Sequence, residues 1–303
     1  MTAYRRLDVS AAGSLYDRAS RCLLRSFTLT REELERLRAE FPGLVVEEGG
    51  GLLVLRPFAA EHHIHYAFPD HDSFRRLFAP LLERALQSAD RQSYPGGILL
   101  YYRDHPNRPF VEPVLFSCAF QSIEEWMEMT LAEAPAAEPP LPAGFAIRAY
   151  KEADVPQIME VNDEAFGPGL VSLEAARRYA AEADAFHVLE SKAEGRVVGF
   201  LRLVAQRPAT GLIDDVAVRP AYQRRGLGEA LMRWALAWCR RQGLPRAKLE
   251  VRLDNGPALA LYRKLGFRPG PTGLTYRRPV DEREVRRILE GLRGTYIKFG
   301  GWR

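Results

Sequence analysis

The chain has 303 residues, 47% hydrophobic and 27% charged, with 43 basic and 39 acidic side chains and a net charge of +4. That length predicts about two domains. The apolar share excludes wholesale disorder, and no apolar run approaches the ~18 residues a membrane helix needs. The N-terminal MTAYRRLDVS lacks a signal-peptide core, and Cys22, Cys118 and Cys239 form an odd set without paired spacing. A cytoplasmic protein with reduced thiols is therefore expected, with no membrane partner.

The charge is divided along the chain. Residues 1–143 carry 15 Arg, no Lys and 20 acidic residues, a balance of −5, whereas residues 144–303 carry 28 basic and 19 acidic residues, a balance of +9. The field of the second half attracts anions, so a phosphorylated ligand is expected there. The excess is too modest and scattered to predict nucleic acid as a partner.

In chain order, the first half reads as a strand at Arg6–Val9 and helices at Gly13–Phe27 and Thr30–Phe41, the latter capped by Thr30. Strands follow at Leu44–Glu47, Leu52–Pro57 and His62–Phe68, then a helix at Phe74–Ala89, a strand at Ile98–Arg103, a short helix at Phe110–Ala119 and a strand at Glu124–Leu131. Residues 134–143 hold four prolines and predict a stiff, extended linker. The second half opens with a strand at Phe145–Ala149, a helix at Glu152–Phe166, and a second helix behind an N-cap at Ser172. Strands at Phe186–Glu190, Arg196–Ala205 and Leu212–Val218 lead to an amphipathic helix at Leu227–Arg241. A strand at Ala247–Leu253, a helix at Pro257–Leu265 and a strand near Leu274–Arg277 complete it. Both halves share the order β-α-α-β-β-β-α-β-α-β. Phe120 then matches Phe267, and Phe27 matches Phe166, with separations of 93 and 101 residues, so a tandem duplication is inferred.

Two segments of the second half carry chemistry. The first is Asp214-Asp-Val-Ala-Val-Arg-Pro-Ala-Tyr-Gln-Arg-Arg-Gly-Leu-Gly-Glu229. It is a buried strand stopped by Pro220, then Gln223-Arg-Arg-Gly-Leu-Gly228 at the start of a long helix. Glycines there let backbone N–H groups approach a ligand closely. First-turn N–H groups have no internal partner and the helix dipole adds positive charge, which suits a pyrophosphate. Neither a dinucleotide fingerprint nor a Lys-Ser/Thr phosphate loop fits this spacing. The second segment is Leu249-Glu-Val-Arg-Leu-Asp-Asn-Gly-Pro-Ala-Leu-Ala-Leu-Tyr-Arg-Lys-Leu-Gly-Phe267. Together they resemble the GNAT superfamily of N-acetyltransferases. Gln223-x-x-Gly-x-Gly228 is similar to its acetyl-CoA signature, and Asn255 with Ala258-Leu-Ala-Leu-Tyr-Arg-Lys-Leu-Gly-Phe267 is similar to its second signature.

The resemblance implies an α/β protein with an α+β mixed sheet, in two tandem acyl-CoA N-acyltransferase-like domains. These are expected at 1–133 (degenerate) and 144–279 (catalytic), joined by the linker 134–143 and followed by a helix and tail at 280–303. It further implies acetyl-CoA as co-substrate and no metal. Val216, Ala217 and Val218 would bind the pantetheine arm as an added strand. Gln223, Arg224, Arg225, Gly226, Leu227, Gly228 and Glu229 would cradle the pyrophosphate. Asn255 would bind the pantetheine or a nearby backbone group, and Tyr262 would stand near the thioester sulfur. The reaction would be direct attack by a primary amine, with Tyr262 protonating the departing thiolate or else serving only as a packed helix tyrosine. Asp215 is the candidate base, with Asp214 beside it; strand alternation lets at most one of them point inward, and a water relay is the alternative. Glu160, Asp163 and Glu164 are candidates for holding a cationic acceptor, and Cys239 reads as core.

The first half lacks this equipment. Pro69-Asp-His-Asp-Ser-Phe-Arg-Arg-Leu-Phe78 has no glycine and two acids where pyrophosphate would sit. Aligning Phe120 with Phe267 puts Leu115 opposite Tyr262 and Arg108 opposite Asn255. His62, His63, His65 and His71 are dense but lack a metal-ligand pattern. The tail, with a helix at Asp281–Leu292, is open to docking on the first domain or on a second copy of the chain in a homodimer. The acceptor is expected to be a small-molecule or protein amine, and a non-catalytic acetyl-CoA sensor or scaffold is the alternative function.

Overall fold

A computed structural model describes residues 14–26, 29–58, 61–89, 97–103, 105–135, 140–166, 173–206, 208–283 and 285–286. The strand expected at Arg6–Val9, the Ser172 cap, the Phe27 alignment point, four residues of the linker and most of the tail lie outside these residues.

The first half folds as α1 (Leu15–Ser20), β1 (Leu24–Ser26), α2 (Arg31–Glu40), β2 (Val45–Glu48), β3 (Gly51–Phe58), β4 (Glu61–Phe68), α3 (His71–Ser88), β5 (Ile98–Tyr102), α4 (Arg108–Ser117) and β6 (Gln121–Leu131). The second half folds as β7 (Phe145–Ala149), α5 (Val155–Phe166), α6 (Leu173–Ala181), β8 (Ala185–Ser191), β9 (Arg196–Gln206), β10 (Thr210–Val218), α7 (Leu227–Arg241), β11 (Arg246–Arg252), α8 (Gly256–Lys264) and β12 (Arg268–Arg278). The order expected for the second half is therefore observed. Thr30 caps α2 as expected: its hydroxyl accepts from the Glu33 N–H at 3.2 Å and the Glu33 carboxylate accepts from the Thr30 N–H at 2.7 Å.

One expectation fails in the first half. The helix predicted to reach Phe27 stops at Ser20, and Leu24–Ser26 is a strand. Leu24 is fully buried in the core, and the extended backbone of β1 pairs antiparallel with β4 (Leu24↔Phe68, Ser26↔Tyr66). Those ladder bonds and that burial outweigh one more helical turn.

The chain divides into two compact units, one made of the described residues up to Glu124 with those from Gly273 onward, the other of Glu125–Thr272. This division differs from boundaries at 133, 144 and 279, because each unit contains the larger part of the last strand of the other half, residues 125–131 of β6 in one and 273–278 of β12 in the other. In the first unit the antiparallel sheet β2-β3-β4 continues to β5, and β5 pairs with Leu274–Arg278 of β12. Leu274 and Tyr276 are buried there among Tyr66, Phe74 and Phe78, and the Tyr276 hydroxyl donates to Glu112 at 2.8 Å. In the second unit β7-β8-β9-β10 are antiparallel, β10 runs parallel to β11, and β11 pairs with Trp126–Leu131 of β6. Met129 is fully buried in that core, under the apolar stripe of α7 formed by Leu227, Ala230, Leu231 and Ala235. Cys239 on the same helix is buried against Gly211, where any side chain would collide with its sulfur. A buried leucine or methionine of this kind contributes about 1.5–3 kcal/mol over an exposed one.

The exchanged strands set the smallest piece that can fold. A fragment of residues 121–272 is expected to unfold cooperatively on heating. A fragment of 144–279, which leaves β11 an open edge and removes Met129, should be aggregated or molten. Cooperative melting of the shorter fragment, followed by circular dichroism, would contradict the strand assignment.

Candidate acetyl-CoA site between two diverging strands

Parallel pairing of β10 with β11 covers only Thr210↔Arg246, Gly211↔Ala247 and Leu212↔Lys248. Beyond it, Asp215 to Val218 of β10 pair with β9 alone among the described residues. The far edge from Val216 to the Val218 N–H is thus free to hydrogen-bond an extended ligand. Past Val218 the chain turns through Pro220–Tyr222, and the Gln223 side-chain amide donates to the Val218 carbonyl at 2.9 Å, fixing the loop to the strand end.

Two left-handed residues shape that loop. Gly226, the N-cap of α7, has φ +77°, and Arg224 has φ +63°, a conformation that costs a non-glycine residue about 1–2 kcal/mol. No side chain caps α7, so its first N–H groups remain directed at the loop beside the exposed Arg224 and Arg225. The Arg225 guanidinium lies over the Tyr222 ring at 5.1 Å and donates to the Ala221 carbonyl at 3.1 Å. Leu227 is buried, and Gly228 lies next to Leu261 of α8. Glu229 is clamped by Arg233 at 2.9 Å and by Lys264 of α8, which hold its carboxyl below the usual range and tie the two helices together.

On α8, Asn255 is the N-cap: its side-chain oxygen accepts from the Ala258 N–H at 3.2 Å. Tyr262 is half-buried, and burial, followed by the charge of Asp215, pushes its phenol up to about 12. The helix closes with Gly266 at φ +90° and a bond from the Phe267 N–H to the Tyr262 carbonyl at 3.0 Å. In the first unit α4 closes in the same way, with Ala119 at φ +62° and the Phe120 N–H on the Leu115 carbonyl at 3.0 Å. Leu115 therefore stands where Tyr262 stands, as expected. The N-cap of α4 is Asn107, not Arg108, because α4 is one residue longer than α8. The oxygen of Asn107 meets His71 at 2.9 Å.

The other two parts of the site are closed in the first unit. Parallel pairing of β4 with β5 is confined to His62↔Ile98 and His63↔Leu99, the same divergence as in the second unit. There β1 takes the open edge of β4, and the Ser26 hydroxyl donates to the Tyr101 carbonyl of β5 at 3.1 Å. The N-terminus of α3 is capped by the Asp70 carboxylate, which accepts from the Ser73 N–H at 2.7 Å, and Asp72 lies in its first turn.

Strand alternation breaks down at the two aspartates. A bulge between Ile213 and Asp215 puts both carboxylates against one hydroxyl: Tyr179 of α6 donates to Asp214 at 3.0 Å and is hydrogen-bonded to Asp215. Arg202 of β9 pairs with Asp214 and stacks its guanidinium 3.8 Å from the Tyr179 ring centroid. Burial, then the Asp214 charge, lifts the Asp215 carboxyl to about 7, while Tyr179 and Arg202 pull it down. Sequence reasoning missed Tyr179 and Arg202. Arg202 had a signal, being the one charge inside the apolar run Val197–Ala205.

Glu160 and Glu164 are not free to hold an acceptor. Buried Arg219 pairs with both, at 2.7 Å to Glu160, and also donates to the Val197 carbonyl at 3.0 Å, so these acids fasten α5 to the strands. Asp163 is half-buried on the same helix. Among the described residues no group of three or more His, Cys, Asp and Glu could hold a metal, and no helix is long and apolar enough to cross a membrane. The thiols are unpaired, and burial pushes Cys22 and Cys239 up to about 11, far from a nucleophile's range.

Comparison with known proteins agrees with this geometry. The profile of the acetyltransferase (GNAT) family matches residues 155–267. Over 200 residues the chain is 32% identical to the mycothiol acetyltransferase of Segniliparus rotundus, covering 61% of this chain and 74% of that protein. It is 35% identical over 85 residues to a putative [ribosomal protein bS18]-alanine N-acetyltransferase of Bacillus subtilis, covering 28% of this chain and 55% of that one. A tandem GNAT protein from the clavulanic acid biosynthesis pathway shares the fold, with a TM-score of 0.57 at 17% identity over 78% of this chain and 82% of that chain. With the profile spanning the diverging strands, the uncapped helix and Tyr262, and a relative matched across most of its length, the chain belongs to the GNAT family, as an N-acetyltransferase whose acetyl donor is acetyl-CoA.

Proposed function

We propose that the acetyl group passes to a primary amine by direct attack in a ternary complex, at one site in the second unit. Val216, Ala217 and Val218 take the pantetheine arm as an added strand. The N–H groups of Gly226, Leu227 and Gly228 hold the pyrophosphate with the charges of Arg224 and Arg225. Gln223 fixes the loop, Glu229 fixes α7 against α8, and Asn255 sets the start of the helix that presents Tyr262.

Acetyl-CoA brings an activated thioester carbonyl. As the amine nitrogen bonds to that carbon, its proton moves to the Asp215 carboxylate. The carbon–sulfur bond breaks, and the departing thiolate takes the phenolic proton of Tyr262. Solvent then reprotonates Tyr262 and relieves Asp215 of its proton.

The observation that carries this reading is that Asp215 is lifted to about 7 within electrostatic reach of Tyr262, beside an open strand edge. A base titrating near neutrality and an acid that stays protonated suit one reaction. A small-molecule acceptor is favoured, since the match to a mycothiol acetyltransferase runs over 200 residues and the match to a ribosomal-protein enzyme over 85. The first unit, with its strand edge filled, its helix start capped and leucine at the tyrosine position, takes no acetyl-CoA.

Screening amines, antibiotics and peptides for thiol release from acetyl-CoA identifies the acceptor. With that acceptor, kcat should rise as pH passes about 7, because Asp215 must be ionised, and should not fall below about 12, where Tyr262 loses its proton. Asp215→Asn should remove the rising limb and lower kcat by about 10²–10⁴-fold. Tyr262→Phe should lower kcat about 10²-fold or more with an unchanged acetyl-CoA Kd. Full activity in Tyr262→Phe would leave the chain without the acid assigned here. Calorimetric titration should give one acetyl-CoA per chain, and a second site would contradict a closed first unit.

A further inference from the structure

Tyr179 lies on α6, outside both sequence signatures, yet its hydroxyl meets the two carboxylates of the β10 bulge. Its own surroundings are built. The Arg202 guanidinium covers its ring at 3.8 Å, the Arg202 Nε donates to its carbonyl at 3.0 Å, and Arg202 Nη1 pairs with Asp214. Burial and the charges of Asp215 and Asp214 hold the Tyr179 phenol protonated far above any working pH. It is therefore a fixed donor, unable to take up a proton itself.

The two aspartates are served unequally. One oxygen of Asp214 receives both Arg202 and Tyr179, so that carboxylate is neutralised and bound. Asp215 receives only Tyr179, at Oδ2, and its Oδ1 has no hydrogen-bond partner among the described residues. A carboxylate anchored by one oxygen and open at the other is oriented for a single incoming N–H. The groups facing Asp215 are Asp214 on its own strand, Arg202 on β9, Tyr179 on α6 and Tyr262 on α8.

We propose that Tyr179 and Arg202 are positioning residues for the acceptor amine's deprotonation: Tyr179 anchors Asp215 by one oxygen, and Arg202 holds Tyr179 in place while neutralising Asp214. This rests on Asp215 being the base. The hydrogen bond from Tyr179 favours the ionised carboxylate, whereas the Asp214 charge opposes it, so removing each should move Asp215 in opposite directions.

The test needs no acceptor. In the full chain labelled with [13Cγ]aspartate, the Asp215 signal is the one lost in Asp215→Asn, and its carboxyl titration is followed by NMR. Tyr179→Phe should raise the midpoint by about one unit, and Asp214→Asn should lower it, while acetyl-CoA affinity stays within twofold in both. A merely structural role for Tyr179 would not give opposite signs. If Tyr179→Phe does not fold, Arg202→Lys decides, since it keeps a charge for Asp214 but not a planar group on the Tyr179 ring; an upward shift supports the proposal and no shift overturns it. An Asp215 midpoint that stays put in Tyr179→Phe overturns the positioning role and leaves the base intact. A wild-type Asp215 that titrates in the ordinary carboxylate range defeats the base assignment itself.

Discussion

The site proposed for acetyl-CoA depends on how briefly β10 and β11 run together. Three paired residues are followed by divergence, and twisted parallel strands that part company leave a row of backbone N–H and C=O groups without partners. Each such group left unmet away from water costs about 1–3 kcal/mol. The gap is thus a standing demand for an extended polar chain, and in the function proposed above the amide-bearing arm of acetyl-CoA meets it. The first unit contains the same gap between β4 and β5 and meets the demand from within, with Leu24–Ser26. One geometric problem has two answers: an edge left open in the second unit and an edge filled by β1 in the first.

The charge division has the same physical root. At the start of α7 the N–H groups are uncapped and flanked by Arg224 and Arg225; at the start of α3 a carboxylate already sits on them. The electrostatics of the first arrangement favour an anion and those of the second disfavour one. The −5 and +9 of the two halves thus accompany opposite treatments of one helix terminus.

Elements with strong periodicity or specific punctuation are legible in the sequence: the α7 stripe, the Thr30 cap, the glycine loop, and the Phe120–Phe267 correspondence that puts leucine opposite Tyr262. What was not legible depends on long-range pairing. The bulge at Asp214 overrides strand alternation only because β9 supplies the matching register. Arg219 claims Glu160 and Glu164 from more than fifty residues away, so acids that read as an open face are already paired. The end of the Gly13–Phe27 helix was missed because β4, forty residues onward, recruits Leu24–Ser26 as a strand. Tyr179 carries no local mark of its role, since its partners are on another element altogether.

The exchange of last strands sets a timetable for biosynthesis. β5 ends at Tyr102, but its neighbour begins at Leu274, so the ribosome must add roughly 170 more residues before the first sheet can be finished. At about 5–20 residues per second that is on the order of ten to thirty seconds with one edge of a hydrophobic sheet uncovered. The second unit faces no such wait, because β6 has already emerged when β11 is made. The half matched by the acetyltransferase profile can therefore be complete while the older half, in order of synthesis, still lacks its closing strand.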